Sequence, residues 1–110
     1  MGLFDLFKTA DINEGVKKMQ DTQGAVLLDV RTEEEYFKAH IPGSLNIPLD
    51  ELQTAVNKIP DKNTPVFVYC LSGSRSRQAE QVLRNMGYTD LTNIGGIHNY
   101  NGKTERGTAK

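Results

Sequence analysis

Cysteine is scarce in this chain, and that scarcity limits how the protein can be held together. Its 110 residues include a single cysteine, Cys70, so no disulfide can form within the chain. A domain of this length buries about two thirds of the surface that its unfolded form exposes, which is enough for stability without a disulfide or a metal. We therefore expect one domain over residues 1–102 and, from the lack of apolar anchors, a frayed C-terminal tail over residues 103–110.

An excess of charge of one sign is also missing. The 13 basic and 14 acidic residues are interleaved, which leaves a net charge of -1 and no basic stripe for nucleic acid or anionic lipid. Asp5 interrupts the apolar residues near the start, and no export signal or lipidation motif is recognised there. These absences predict a cytoplasmic monomer with no nucleic-acid partner, no membrane partner, no metal and no cofactor.

The spacing of apolar residues predicts four helices. Asp11 with Glu14, and Thr32 with Glu35, have the spacing of capping boxes at the starts of the first two. Asp50 is the expected N-cap of the third helix. The apolar faces of the first, third and fourth helices comprise Ile12, Val16 and Met19; Leu52, Ala55, Val56 and Ile59; and Ala79, Val82, Leu83 and Met86.

Short apolar runs between the helices predict strands at residues 25–28, 45–47, 65–69 and 91–94. Runs without alternation are typical of strands that are buried on both faces. Strands that alternate with helices favour an α/β fold, in which a parallel sheet is covered by helices on both faces. A functional site is then expected at the carboxyl ends of the strands.

Cys70 directly follows the third of these runs and precedes the fourth helix. A loop between a strand and a helix start tends to turn backbone N–H groups toward one centre, and the helix adds about half a positive charge. This field predicts a pKa for Cys70 below the usual value of about 8.5, and hence more thiolate at neutral pH. The candidate anion-binding residues are Leu71, Ser72, Gly73, Ser74, Arg75 and Ser76.

Two residues of this loop have specific expected roles. Gly73 permits a sharp turn, and the planar fork of Arg75 suits an anion such as thiosulfate or an oxyanion leaving group. The competing interpretation is that Cys70 is a small buried side chain at the end of a strand and that Arg75 is a solvated surface charge. A purely structural cysteine does not require a glycine, three serines and an arginine in the next six positions, so we favour a catalytic or anion-binding site.

The chain also resembles the single-domain rhodaneses, which are thiosulfate or persulfide sulfurtransferases, over nearly its whole length. The matching segments are Leu28 to Arg31, Glu34 to Tyr36, His40 to Ser44, Cys70 to Arg75, Met86 to Tyr88 and Asn93 to Ile97. The resemblance implies a rhodanese-like fold with a five-stranded parallel sheet, whose first short strand lies near Phe7 to Ala10. It also implies a persulfide on Cys70.

The resemblance implies roles outside the loop as well. By similarity, Asp29 and Arg31 support the site by holding loops together through ion pairing and hydrogen bonds. Ala39 stands where the family usually has glycine, and Tyr100 lies near the place of a common tryptophan that this chain lacks.

Neither of the two histidines is predicted to be catalytic. His40 precedes a turn signal, so we expect it to make hydrogen bonds within that turn rather than to act as a base. His98 is expected to be a surface histidine, with an approach to the site as the alternative.

We therefore expect an enzyme that moves sulfur from a small donor, thiosulfate or a persulfide, to a thiol, a protein or cyanide. A phosphatase of the related type also uses a cysteine and an arginine around an anion-binding loop. Those enzymes place five residues between the cysteine and the arginine, whereas this chain has four. The rival from another class is a non-catalytic binding or sulfur-carrier module that acts on a partner protein. Thiol–disulfide exchange is disfavoured because the chain has no Cys-x-x-Cys motif.

Overall fold

Four short apolar segments form one parallel sheet in the computed structural model, which describes residues 10–108. The strands are β1 (Val26–Asp29), β2 (Leu45–Asn46), β3 (Val66–Cys70) and β4 (Leu91–Gly96). They lie in the order β2-β1-β3-β4, and every neighbouring pair is parallel. All five residues of β3 are buried, which agrees with a central strand covered on both faces.

The predicted α/β architecture is confirmed, but the number of strands differs from the expected five. Within residues 10–108 the sheet has four strands. The additional strand expected near Phe7 to Ala10 falls outside the described residues except for Ala10, which has no regular secondary structure.

Helices cover both faces of this sheet. The α-helices are α1 (Ile12–Gln20), α2 (Glu33–Lys38), α3 (Ala55–Lys58) and α4 (Ser74–Asn85), and 3₁₀ helices span Leu49–Thr54 and Ile97–Asn99. Successive side chains of β3 point to opposite faces, so Phe67 packs in the same cluster as Ile12 of α1, and Val68 in the same cluster as Leu83 of α4. None of the described helices is both long enough and apolar enough to span a bilayer.

The predicted helix starts are partly confirmed. The Asp11 carboxylate caps α1 by accepting the backbone N–H of Asn13 at 3.0 Å, so the cap bond does not involve Glu14. Thr32 and Glu35 form the complete capping box that their spacing predicts.

The third predicted helix differs from the expectation. It begins as a 3₁₀ helix at Leu49, its N-cap is Pro48, and Asp50 lies within the first turn rather than at the cap. The Leu49 N–H donates to the carbonyl of Val30, which positions the helix start two residues earlier than predicted. The buried face consists of Leu52, Ala55 and Ile59, because Val56 is 43% exposed.

The C-terminal tail also contacts the domain, which corrects the expectation of fraying for residues 105–107. Glu105 and His40 exchange backbone hydrogen bonds at 2.9 and 2.8 Å, and the N–H of Gly107 donates to the carbonyl of Phe37 at 2.8 Å. The tail does lack apolar anchors, as its composition indicated, but backbone hydrogen bonds attach it instead.

Candidate active site

Cys70 ends the central strand of the sheet, and its sulfur lies at the base of the following loop. The side chain is buried, and Sγ accepts a hydrogen bond from the backbone N–H of Gly73 at 3.0 Å. Helix α4 begins immediately afterwards at Ser74, so its positive end is adjacent to the sulfur. The expected succession of strand, tight loop and helix start is therefore present.

Two glycines allow this loop geometry. Gly73 is the N-cap of α4 and has a φ of 106°, a left-handed conformation that favours glycine. Gly96 pairs with Cys70 across the sheet, and a Cβ placed there would collide with the Leu71 carbonyl and lie 2.6 Å from the Cα of Ser72. The loop can thus pack directly against β4 only because residue 96 has no side chain.

The surroundings of Sγ favour the thiolate. Burial by itself raises the pKa of Cys70, and it is the largest single influence. Hydrogen bonds from the Ser76 hydroxyl and from the backbone N–H groups of Ser76, Gly73 and Ser72 act in the opposite direction and together outweigh it, so the pKa of Cys70 lies below its ordinary value. The arrangement can therefore stabilise negative charge on the sulfur.

A polar network that the sequence reasoning missed lies behind the loop. The buried hydroxyl of Ser76 is 3.5 Å from Sγ of Cys70 and 2.7 Å from Oδ1 of Asn93. The same Oδ1 accepts the backbone N–H of Gly95 at 3.0 Å. Asn93 is thus held where it can orient the hydroxyl. An asparagine two residues before a glycine is a known local hydrogen-bonding pattern, and that spacing was the available signal.

Arg75 is not a free cation. Its Nη1 and Nη2 donate to the two carboxylate oxygens of Glu35 at 2.7 and 3.0 Å, in a bidentate pair. The hydrogen bonds from Arg75 are the largest influence on the pKa of Glu35, and hydrogen bonds from Thr32 lower it in the same direction. Partial burial opposes this shift but does not outweigh it, so the pKa of Glu35 falls to about 2. The sequence indicated Glu35 as a capping residue and as part of a family-like segment, but not as the partner of Arg75, because that contact spans 40 positions in the chain.

A cleft of about 240 Å³ opens beside Arg75. Its lining residues come from the carboxyl ends of β1 and β2 and from α4: Val30, Thr32, Pro48, Leu49, Asp50 and Arg75. Larger depressions of about 440 and 340 Å³ lie around α2 and the tail, and neither is lined by a residue of the 70–76 segment. Of these three depressions, the smaller cleft is the one that includes a residue of the 70–76 segment, Arg75.

Asp29 and Arg31 lie at the same edge of the sheet, where they form a buried ion pair. The Nη2 of Arg31 is 2.7 Å from Oδ2 of Asp29 and also donates to the carbonyl of Ala39 at 2.7 Å. The pair thus ties the end of β1 to the segment that precedes His40. Within residues 10–108 neither side chain makes a hydrogen bond to the Cys70 loop.

The two histidines have different surroundings. The Nδ1 of His40 is 2.8 Å from the carbonyl of Tyr36, and the rings of these residues stack with centroids 3.8 Å apart. His98, although exposed, reaches the loop: its Nδ1 and its backbone N–H lie 2.7 and 3.2 Å from the carbonyl oxygen of Leu71. His40 is therefore part of a packed turn, whereas His98 supports the loop from the β4 side.

Metal ligands are not grouped in the described part of the chain. Across residues 10–108 no three or more His, Cys, Asp or Glu side chains are arranged to hold a metal ion.

Comparisons with known proteins agree on one family. The sequence model of the rhodanese-like domain family matches residues 13–103 of this chain. The thiosulfate sulfurtransferase PspE of Escherichia coli is 45% identical over 71 residues, which cover 64% of this chain and 68% of that protein. The putative sulfur carrier protein YrkF of Bacillus subtilis is 37% identical over 90 residues, which cover 81% of this chain but 48% of that protein. A solved structure described as a rhodanese with anions from E. coli aligns with a TM-score of 0.70 and 39% identity, covering 76% of this chain and 99% of that one.

Proposed function

The chain belongs to the rhodanese-like domain family, and from this premise we propose that it is a sulfurtransferase that carries sulfane sulfur as a persulfide on Cys70. The observation that supports this most directly is the set of hydrogen bonds around the buried Sγ. These donors favour the thiolate, which is the nucleophilic form of cysteine. They also suit the negative charge that a persulfide carries on its outer sulfur.

In the first half-reaction the Cys70 thiolate attacks the outer sulfur of the donor. With thiosulfate, the sulfur–sulfur bond of the donor breaks, a new bond forms to Sγ, and sulfite leaves with the electron pair. With an organic persulfide, the leaving group is the thiolate of the donor. The N–H groups of Ser72, Gly73 and Ser76 stabilise the sulfur anion in place.

In the second half-reaction an external nucleophile attacks the outer sulfur of the persulfide. An acceptor thiolate or cyanide takes that sulfur, and Cys70 leaves as the thiolate with which the cycle began. The chain contains one cysteine, so it cannot resolve the persulfide as an internal disulfide. The acceptor is therefore a separate molecule, either a small thiol or a thiol on a partner protein.

Intact-protein mass spectrometry tests this proposal. The parent protein should gain the mass of one sulfur atom after incubation with thiosulfate or cysteine persulfide, and should lose it again when cyanide or a thiol is added. Cys70→Ser should remain folded, gain no sulfur and show no turnover, because an alcohol barely ionises at neutral pH. Sulfur transfer by the serine variant at an appreciable fraction of the parent rate would contradict the assignment of Cys70.

A second candidate function is that of a sulfur carrier, which accepts one sulfur atom and delivers it to a partner protein. The similarity to a putative sulfur carrier protein supports this candidate. Turnover distinguishes the two. An enzyme cycles many times with a donor and a small acceptor, whereas a carrier gains one sulfur atom per chain and then stops until its partner is supplied.

A further inference from the structure

The only charged side chain among residues 70–76 is neutralised by a carboxylate from another helix. Each terminal nitrogen of Arg75 donates one hydrogen bond to the carboxylate of Glu35. Glu35 is itself held from the opposite side, because its Oε1 accepts the backbone N–H of Thr32 at 3.0 Å and the hydroxyl of Thr32 at 3.1 Å. The carboxylate is thus fixed on Arg75, and it stays ionised throughout the neutral range.

The neighbouring charged groups do not restore a positive site. Two charged side chains line the cleft beside the loop, and Asp50 balances Arg75 there even before Glu35 is counted. Asp29 and Arg31 neutralise each other in the interior. An anionic donor therefore meets backbone N–H groups and the start of α4, while the charged side chains that line the cleft carry no surplus of positive charge.

The remaining walls of the cleft are mainly apolar. Val30, Pro48 and Leu49 contribute carbon surface to it. In the loop itself, the Leu71 side chain is 45% exposed next to Cys70. These surfaces suit the organic part of a thiol better than the compact, strongly hydrated sulfonate of thiosulfate.

We propose that Glu35 is a specificity-determining residue, which by neutralising Arg75 makes the site prefer singly charged organic persulfides over the thiosulfate dianion. This inference rests on the proposed sulfur transfer through Cys70. It assigns to Glu35 a role beyond the capping of α2. A dianion is penalised more than a monoanion by each nearby negative charge, so removing the charge of Glu35 should benefit thiosulfate most.

Glu35→Gln tests the role cleanly, because glutamine can keep the capping box while it removes the charge. We expect kcat/KM for thiosulfate to rise about tenfold, mainly through a lower KM, and kcat/KM for cysteine persulfide to change less than about twofold. Glu33→Gln is the matched control. Glu33 lies in the same first turn of α2 and is exposed. Its substitution removes an equal charge without touching Arg75, so kcat/KM for both donors should stay unchanged.

The parent protein provides a measurement that does not depend on any variant. It should use cysteine persulfide with a higher kcat/KM than thiosulfate. The inference is overturned if the parent prefers thiosulfate, if Glu35→Gln leaves the ratio of the two donors unchanged, or if the variant loses activity toward both. Failure of the parent to transfer sulfur from either donor would instead overturn the proposed function itself.

Discussion

The hydroxyl oxygen of Ser76 lies 2.7 Å from Oδ1 of Asn93, which places the amide directly behind the hydroxyl group that faces the Cys70 sulfur. A serine hydroxyl has one proton and therefore donates to one acceptor at a time. With a neutral thiol, Cys70 can donate to Ser76, and Ser76 to Asn93. With a thiolate, the hydroxyl donates to the sulfur instead, while Oδ1 keeps the N–H of Gly95. The hydroxyl proton of Ser76 thus has two alternative acceptors, and donating it to the Cys70 thiolate gives up the hydrogen bond to Asn93.

Ser76→Ala should raise the pKa of Cys70. The lost hydrogen bond is to a charged sulfur, and bonds of that kind contribute about 1.5–3 kcal/mol, which corresponds to a shift of about one to two pKa units. The pH dependence of alkylation by iodoacetamide measures the pKa. The parent midpoint should lie below the usual value of about 8.5, and Gln78→Ala, at an exposed position in the same helix, should leave it unchanged. A parent midpoint at or above the free-cysteine value would show that the loop does not stabilise the thiolate.

Asn93→Asp should raise the pKa of Cys70 as well. The carboxylate keeps an acceptor for Ser76 and Gly95 but introduces a negative charge within about 6 Å of Sγ, which at an effective dielectric constant of about 20 costs the thiolate about 2–3 kcal/mol. The same alkylation titration detects the shift. Asn101→Asp adds an equal charge on an exposed side chain and serves as the control. An unchanged midpoint in Asn93→Asp would mean that Asn93 is electrostatically remote from the sulfur.

Gly96→Ala should displace the loop rather than strain the strand. The φ of Gly96 is −122°, which any residue adopts, so the effect of the new methyl group comes from its collision with Leu71. We expect sulfur transfer to fall by about 10²-fold or more as N–H donors lose contact with the sulfur. Stability should fall by about 1–3 kcal/mol. Chemical denaturation and donor turnover measure the two effects. Normal turnover in this variant would indicate that the loop tolerates movement away from β4.

Inserting one glycine between Gly73 and Ser74 tests whether loop length selects sulfur over phosphate. The insertion creates the five-residue spacing between cysteine and arginine of the related phosphatases, and it widens the loop. Sulfur transfer should fall steeply, since each lost N–H contact can cost about 10²-fold, while phosphate should bind more strongly by calorimetry. The parent should not hydrolyse an aryl phosphate usefully. Efficient aryl-phosphate hydrolysis by the parent, without sulfur transfer from any donor, would favour the phosphatase interpretation.

Local sequence signals predicted most of the architecture because they depend on neighbours in the chain. The run that became β3 is apolar throughout and follows Pro65, so its identity as a buried strand required no distant information. The capping box at Thr32 and Glu35 involves residues three positions apart, and it formed as predicted. The start of the third helix was misplaced because the N–H of Leu49 pairs with Val30, a contact between segments that local spacing does not reveal.

The sequence by itself determined where the candidate site lies, because Cys70, Gly73 and the start of α4 are only a few positions apart and their chemistry is local. Only the tertiary structure decided what surrounds that site. Glu35 neutralises Arg75 across 40 positions, and Asn93 reaches Ser76 from β4 across 17. These contacts form because parallel strands bring distant segments to one edge of the sheet, and that proximity arises from folding rather than from order along the chain.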